Sequence, residues 1–475
     1  MSTTYREISR NLDIEKLAAN RPRYSRLMIA LGIFGGGLYG YTTVVLSGAL
    51  VTMNFHGLGL SAFQQGVLTA GLLLGAAVGS FLGGSLADRY GRKKMIITGS
   101  CISLLACAAC ALASDFSFFL IARISVGLGV GFTSCVVPMA IGELASADKR
   151  GRLVSVNSVM INIAQLLATC VNAVLAKVAD WHAMLWASVV PALCLVVIAF
   201  LIHDTPNYFI RHGMDDQAVR VLLSTRDEQE AQQTYESMQA SLTSSSQDDS
   251  RHAKKESFST PWLRRVLIVG IGLAVMQQFS GVNAINFFAP TIFSTTLGFG
   301  STDSVIAMVP VMLVSAIAAV VFGLILIDKI DRRTDLLIGT AGVTVFLTAI
   351  GICYLFIHGG NTSKAMSWTL IAIMMIYLLF AQGSMAPVTW LMIAEIFPTA
   401  VRGQGMAYAN IAVNTSSFIL TLIFPVMLEK LGGAGSFFVF ALINAGAFLF
   451  TKALVPETRG KTLAQIETEA RQRVK

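Results

Sequence analysis

The chain has 475 residues, of which 54% are apolar and only 13% charged, where a soluble domain carries about 25% charge. Its mean hydropathy is +0.67, which excludes a soluble globular class. The formal charge of +8 would suit a nucleic-acid binder, but the basic residues are confined to alternate loops between apolar runs, and that excludes nucleic acid as a partner.

Apolar runs near the roughly 20 residues a bilayer-spanning helix needs predict twelve spans. The first six are Leu27–Leu50, Gly66–Ala87, Met95–Ala113, Phe119–Ile141, Leu153–Val174 and Met184–Ile202. The second six are Val266–Phe288, Val305–Ile327, Leu336–Ile357, Trp368–Ile393, Gly405–Leu428 and Ser436–Leu454. The runs are continuous rather than alternating, so they read as helices and not barrel strands. The expected class is an all-α polytopic membrane protein with twelve helices in two pseudo-symmetric six-helix halves. The halves are residues 27–202 and 263–454, flanked by an arm (1–26), a central loop (203–262) and a tail (455–475).

Arg and Lys crowd the arm, the even-to-odd loops, the central loop and the tail, while the opposite loops hold Lys177, Lys364 and Lys430. Positive charge stays cytoplasmic, so both termini are expected in the cytoplasm of a bacterial inner or plasma membrane. The basic surplus would face anionic lipid headgroups. The polar first 26 residues and the long run after them read as an uncleaved first span. In the central loop, Met214–Ala240 suggests one or two short amphipathic helices, and Ser241–Ser257 reads as a flexible linker.

The halves echo each other. Asp88-Arg89-Tyr90-Gly91-Arg92 follows the second span, and Asp328-Lys329-Ile330-Asp331-Arg332-Arg333 follows the eighth. Glu143 and Arg150-Gly151 follow the fourth; Glu395 and Arg402-Gly403 follow the tenth. Such repetition points to an internal duplication, with substrate bound between the repeats. Carboxylates are not demanded by the positive-inside rule, so these groups read as gating pairs that join across the halves when one side closes. Arg123 is a basic residue inside a span, for which Glu143 or a backbone carbonyl is the expected partner. Gly71, Gly75, Gly79 and Gly83 recur every fourth residue and predict close helix packing. The seven cysteines all fall in spans and read as packing residues, so no metal or cofactor is expected.

Amides both donate and accept, which suits a neutral, hydroxyl-rich solute. The fifth span places Asn162, Gln165, Thr169 and Asn172 on one face. The seventh offers Gln277, Gln278, Asn283 and Asn286 around Ser280-Gly281, where glycine can break the helix and expose backbone to a cavity. Asn157 and Asn172 read as packing amides.

On these residues the chain resembles the sugar porter branch of the major facilitator superfamily over essentially its whole length. Gly84 to Lys94 is similar to the superfamily loop signature, and Arg123 with Gly127, Gly129 and Gly131 to its fourth-helix signature. Pro138 to Arg152 is similar to the segment that follows that helix. Gln277-Gln278-Phe279-Ser280-Gly281-Val282-Asn283 resembles the sugar-binding stretch of the seventh helix. Glu395-Ile396-Phe397-Pro398 and Pro456-Glu457-Thr458-Arg459-Gly460-Lys461 resemble further hallmarks. The resemblance implies a secondary transporter for a sugar or polyol, and no enzyme. It implies sugar contacts at Gln165, Gln277, Gln278, Asn283 and Trp390. Asp88, Arg92, Arg123, Glu143, Arg150, Asp328, Arg332, Glu395 and Arg402 are the implied gating or conformational residues.

The chain also departs from the pattern. Proton-linked relatives carry Asp in the first helix, and here Thr42 follows Tyr39-Gly40-Tyr41. No other Asp, Glu or His is read deep in a span. Facilitated diffusion is therefore expected, with proton-coupled symport as the alternative and protons its second cargo. Val413 and Asn414 stand where relatives carry a helix-eleven amide and Trp, and Phe287 replaces a Tyr. Asp331 stands where Gly is usual, and His203-Asp204-Thr205-Pro206-Asn207 departs from the central signature. A membrane enzyme lacks clustered catalytic groups, a sensor its large domain, and a drug exporter its fifth-helix signature.

Overall fold

The computed structural model describes all residues except 1, 11, 56, 179, 249–259, 323–328, 358–362, 399–400, 462 and 473–475. In chain order come α1 (Ser2–Arg10), α2 (Ile14–Ala19) and α3 (Arg21–Ala49), then a two-residue hairpin, β1 (Asn54–Phe55) and β2 (Leu58–Gly59). The other spans of the first half are α4 (Ala62–Tyr90), α5 (Arg92–Ala111), α6 (Phe116–Leu144), α7 (Ala147–Leu175) and the pair α8 (Trp181–Trp186) and α9 (Val189–Leu201). The central loop forms α10 (Pro206–Arg211), α11 (Asp215–Thr225) and α12 (Glu228–Asp248). The second half has α13 (Pro261–Phe279) and α14 (Val282–Thr296) as one broken span, α15 (Ser301–Val321) and α16 (Arg332–Leu355). It continues with α17 (Lys364–Leu378), a π-helical turn (Leu379–Met385), α18 (Ala386–Ile396) and α19 (Arg402–Leu454), and α20 (Leu463–Gln472) lies in the tail.

Among the described residues, eleven helical stretches are long and apolar enough to cross a membrane, against twelve predicted spans. The difference lies in α19. Its 53 residues would reach roughly 80 Å as one rod, far beyond a hydrocarbon core of about 30 Å. Gly432, at φ 69° and ψ 175°, folds it back into the eleventh and twelfth spans. Twelve crossings return the chain to its starting side. That side is called the termini face below.

Glycine sets the packing within the first half. A Cβ at Gly75 or Gly79 would collide with the carbonyls of Ile124 or Leu128, so the α4 repeat lets α6 approach to backbone contact. The seventh span breaks where the sequence suggested. Gly281 is left-handed (φ 90°), and the carbonyls freed by the break are satisfied from other helices. Asn444 Nδ2 donates to Phe279 O at 3.1 Å, and Tyr377 Oη donates to Ser280 O at 2.8 Å. Unsatisfied backbone is tolerated at membrane depth only with such partners.

One expectation needs revision, and the arm adds structure for which no expectation was set. The arm is helical and docked: Tyr5 is buried, its ring 5.7 Å from that of Tyr235, in an apolar cluster with Val219, Leu222 and Leu223. Burial, with the Glu228 carboxylate nearby, pushes the Tyr5 phenol up to about 12. The expected linker is partly ordered, because α12 extends to Asp248 where Ser241–Ser257 read as flexible; residues 249–257 lie outside the described residues. The amphipathic helices expected over Met214–Ala240 are α11 and α12.

Candidate functional site

The break in the seventh span gathers the amides. Gln278 is nearly buried, and its Nε2 donates to Gln277 Oε1 at 2.6 Å. Asn283 Nδ2 donates to Gln278 Oε1 at 2.7 Å and to Ser417 Oγ at 2.8 Å. Three helices, α13, α14 and α19, thus converge on one network. Both Asn283 amide hydrogens are committed inside it, which leaves its Oδ1 as an acceptor, while Gln277 Nε2 remains as a donor. A remaining acceptor and a remaining donor in one uncharged network suit the hydroxyls of a neutral solute. Ser417 was missed by the sequence reading, which looked for the helix-eleven polar group at Val413 and Asn414.

The other implied sugar residues stand apart from this network. Gln165 is half-buried on α7, and its Oε1 is buried without a hydrogen-bond partner. Trp390 sits on α18 and is 40% exposed. Asn172 is a packing amide as expected, donating to Val45 O of α3 at 2.9 Å. Phe287 is buried.

On the face opposite the termini the halves touch. Thr302 Oγ1 of α15 donates to Ala176 O beyond α7 at 3.1 Å. A Cβ on Gly66 of α4 would collide with Leu422 O of α19. A cavity of about 550 Å³ nearby is lined by Gln65, Thr291, Thr295, Tyr354 and Glu429, with Phe288 and Phe424 in its wall. None of the implied sugar residues lines it.

On the termini face the charged signatures pair within each half. Arg92, only 2% exposed, reaches Asp88 Oδ1 at 2.7 Å and Glu143 Oε1 at 3.0 Å. Asp204 Oδ1 accepts from the backbone N–H groups of Arg92 (2.8 Å) and Lys93 (3.3 Å), capping α5. The second half repeats the device. Glu457 accepts from the N–H groups of Arg332 (3.1 Å) and Arg333 (3.0 Å), capping α16. A carboxylate at a helix N-terminus meets unpaired donors and the positive end of the dipole. Glu395 accepts from Thr458 Oγ1 at 2.5 Å, and Arg402 Nε donates to Phe397 O at 3.4 Å. Arg459 pairs with Asp331 at 3.1 Å, so the departure from Gly at 331 gains a partner. Arg150 is exposed, and Asp328 lies outside the described residues. These ion pairs lie within the first half or join the second half to its own tail, and none of them links the two halves. With the opposite face in contact, this is the arrangement expected when the termini face is open.

Arg123, 2% exposed, donates through Nη2 to the Thr42 carbonyl at 2.8 Å. Of the two expected partners it takes the carbonyl, while Glu143 goes to Arg92. The Thr42 hydroxyl turns into its own helix, donating to Leu38 O at 2.7 Å. Two further groups escaped the sequence reading. Arg226 of the central loop, buried, donates to the carbonyls of Glu143 (2.9 Å) and Ala145 (2.7 Å), closing the end of α6. Asp335 is buried, 5% exposed, in the first turn of α16; it stands one residue before the predicted ninth span at Leu336, at a span end and not deep in one.

Comparison with known proteins agrees with this architecture. Residues 28–470 match the family model described as "Sugar (and other) transporter". The chain is 34% identical over 458 residues to the major myo-inositol transporter IolT of Bacillus subtilis, covering 95% of each. It is 32% identical to the glucose transporter GlcP of Staphylococcus epidermidis, covering 94% of this chain and 97% of that one. Among solved structures, the inward-open xylose transporter XylE from E. coli superposes with a TM-score of 0.79 at 26% identity, over 94% of this chain and 99% of that one. The chain therefore belongs to the sugar porter family of membrane transporters in the major facilitator superfamily.

Proposed function

We propose that the protein carries a sugar or sugar-like polyol across the membrane by alternating access, as an equilibrating facilitator. The observation that carries the solute class is the amide network of Gln277, Gln278 and Asn283 at the break in the seventh span. It offers donor and acceptor to hydroxyls and presents no charge. Gln165 supplies a further acceptor from the other half, and Trp390 an apolar ring face. The relatives named for myo-inositol and glucose fit the same class.

The ion pairs around Arg92, and the cap of Glu457 on α16 with the Arg459–Asp331 pair beside it, act as the gate. They pair within halves in this conformation and re-pair across the halves, through Glu143, Arg150, Glu395 and Arg402, when the termini face closes. The basic loops support a cytoplasmic placement of that face. Its surface Lys and Arg meet anionic lipid.

Thr42 carries the facilitator reading. Its hydroxyl is committed to a backbone carbonyl, and a hydroxyl does not gain or lose charge near neutral pH. Symport is the second reading, favoured by the XylE structure described as a proton:xylose symporter. Uptake of labelled myo-inositol, glucose and xylose into proteoliposomes tests the solute class. Saturable uptake of at least one is expected; uptake of none of these, or of any other sugar or polyol in a wider panel, would refute it.

A further inference from the structure

Although Arg332 lies near enough to act on its carboxylate, Asp335 is in neither the site nor the ion pairs described above. It lies in the first turn of α16, and a carboxylate buried there is costly unless it is partnered. Its partner is a hydroxyl on the tenth span: Ser384 Oγ lies 2.6 Å from Asp335 Oδ1 and 2.6 Å from the Asp335 carbonyl oxygen. Two acceptors of one residue of α16 thus share the single hydroxyl hydrogen of Ser384.

Ser384 falls inside the π-helical turn Leu379–Met385. Such a turn departs from the regular i→i+4 ladder, and single π turns in helices concentrate at functional sites. The surface of α16 is cut to receive this one. A Cβ on Gly339 would lie 2.5 Å from Ser384 Oγ and 3.0 Å from its Cβ, and one on Gly342 would collide with the Phe380 ring. Phe346 stacks on Phe380 with centroids 5.6 Å apart. The π turn leads directly into α18, which carries Trp390 and Glu395.

We propose that Asp335 is a positioning residue for transport: by holding Ser384 it pins the π turn of the tenth span to the ninth and so aims α18, and Trp390 with it, toward the solute. The step to Trp390 rests on the proposed sugar site; the latch itself does not. What the latch requires of the side chain is an acceptor oxygen. Asparagine keeps that oxygen and loses the charge, whereas leucine loses both and leaves only the backbone carbonyl.

Hydrogen–deuterium exchange of the full-length protein in detergent reads the latch without any solute. In D335L and in the milder S384A, amides of residues 379–396 should exchange about tenfold faster, with α4 and α6 unchanged as internal controls of folding. D335N should match the wild type. Wild-type exchange over 379–396 in S384A and in folded D335L would overturn the latch, as would D335N loosening as much as D335L, since charge would then be the working property. In uptake of labelled glucose, myo-inositol or xylose, S384A should raise the half-saturation concentration with the maximal rate nearly kept, and D335N should behave as wild type. Faster exchange with an unchanged half-saturation concentration would overturn the claim that the latch aims α18, and leave the sugar reading standing. A wild type that takes up none of the three would sink the sugar reading, and the exchange experiment would still decide the latch.

Discussion

Replacing Gln278 by alanine removes the centre of the amide network. In the structure its Nε2 occupies Gln277 Oε1 and its Oε1 receives Asn283 Nδ2, so truncation strips both neighbours of one partner. Asn283 keeps Ser417 and its position, while Gln277 is freed to rotate. A bound sugar then faces a wrongly presented acceptor and one absent amide. A lost hydrogen bond that leaves a buried partner unsatisfied costs about 1–3 kcal/mol, or roughly 5- to 150-fold in affinity. The assay is the half-saturation concentration for labelled sugar in proteoliposomes, with monodispersity in detergent as the folding control. Gln278→Glu should fare no better, because a carboxylate cannot donate to Gln277 and adds a buried charge. An unchanged half-saturation concentration in folded Gln278→Ala would refute the reasoning and move the site away from this break.

Tyr377→Phe should lower stability by about 1–3 kcal/mol, because the Ser280 carbonyl at the helix break loses its donor; a denaturation midpoint equal to the wild type would count against that account. Arg92→Leu leaves Glu143 and Asp88 without their shared cation and should cost about 3 kcal/mol; Arg92→Lys should not restore it, since ammonium cannot reproduce the fork, and full recovery by lysine would show that charge alone suffices. For topology, a cysteine placed at Leu58, in the exposed hairpin, should react with an impermeant maleimide from outside the cell, and one placed at Gln233 should not; the reverse pattern would invert the orientation.

Much of this was legible from residue patterns because lipid simplifies the problem. A span must be long and apolar, and a break inside it must carry Gly or Pro, so the twelve crossings and the hinge at Gly281 could be read directly. The amides of the seventh span were equally visible, since polar groups there stand out against an apolar run. What stayed hidden depends on three-dimensional approach. Ser417 is one of several small polar residues on its helix, and only the fold shows that it meets Asn283. Asp335 stands at the edge of an apolar run, where acids are ordinary; its burial comes from the π turn packed against it, and a π turn has no sequence signature of the kind Gly281 provides. The docking of the arm through Tyr5 and the closing of α6 by Arg226 are long-range contacts of ordinary-looking loop residues. The duplication of the signatures was visible, but their use in capping α5 and α16 through Asp204 and Glu457 required the fold.

The most direct test of the central claim is net uptake of a transported sugar into proteoliposomes under an imposed pH gradient. With Thr42 in the first helix, the account predicts that internal sugar rises to the external concentration and stops there, at a rate and to a level that neither the gradient nor a protonophore alters. Accumulation above the external concentration, abolished by a protonophore, would contradict it.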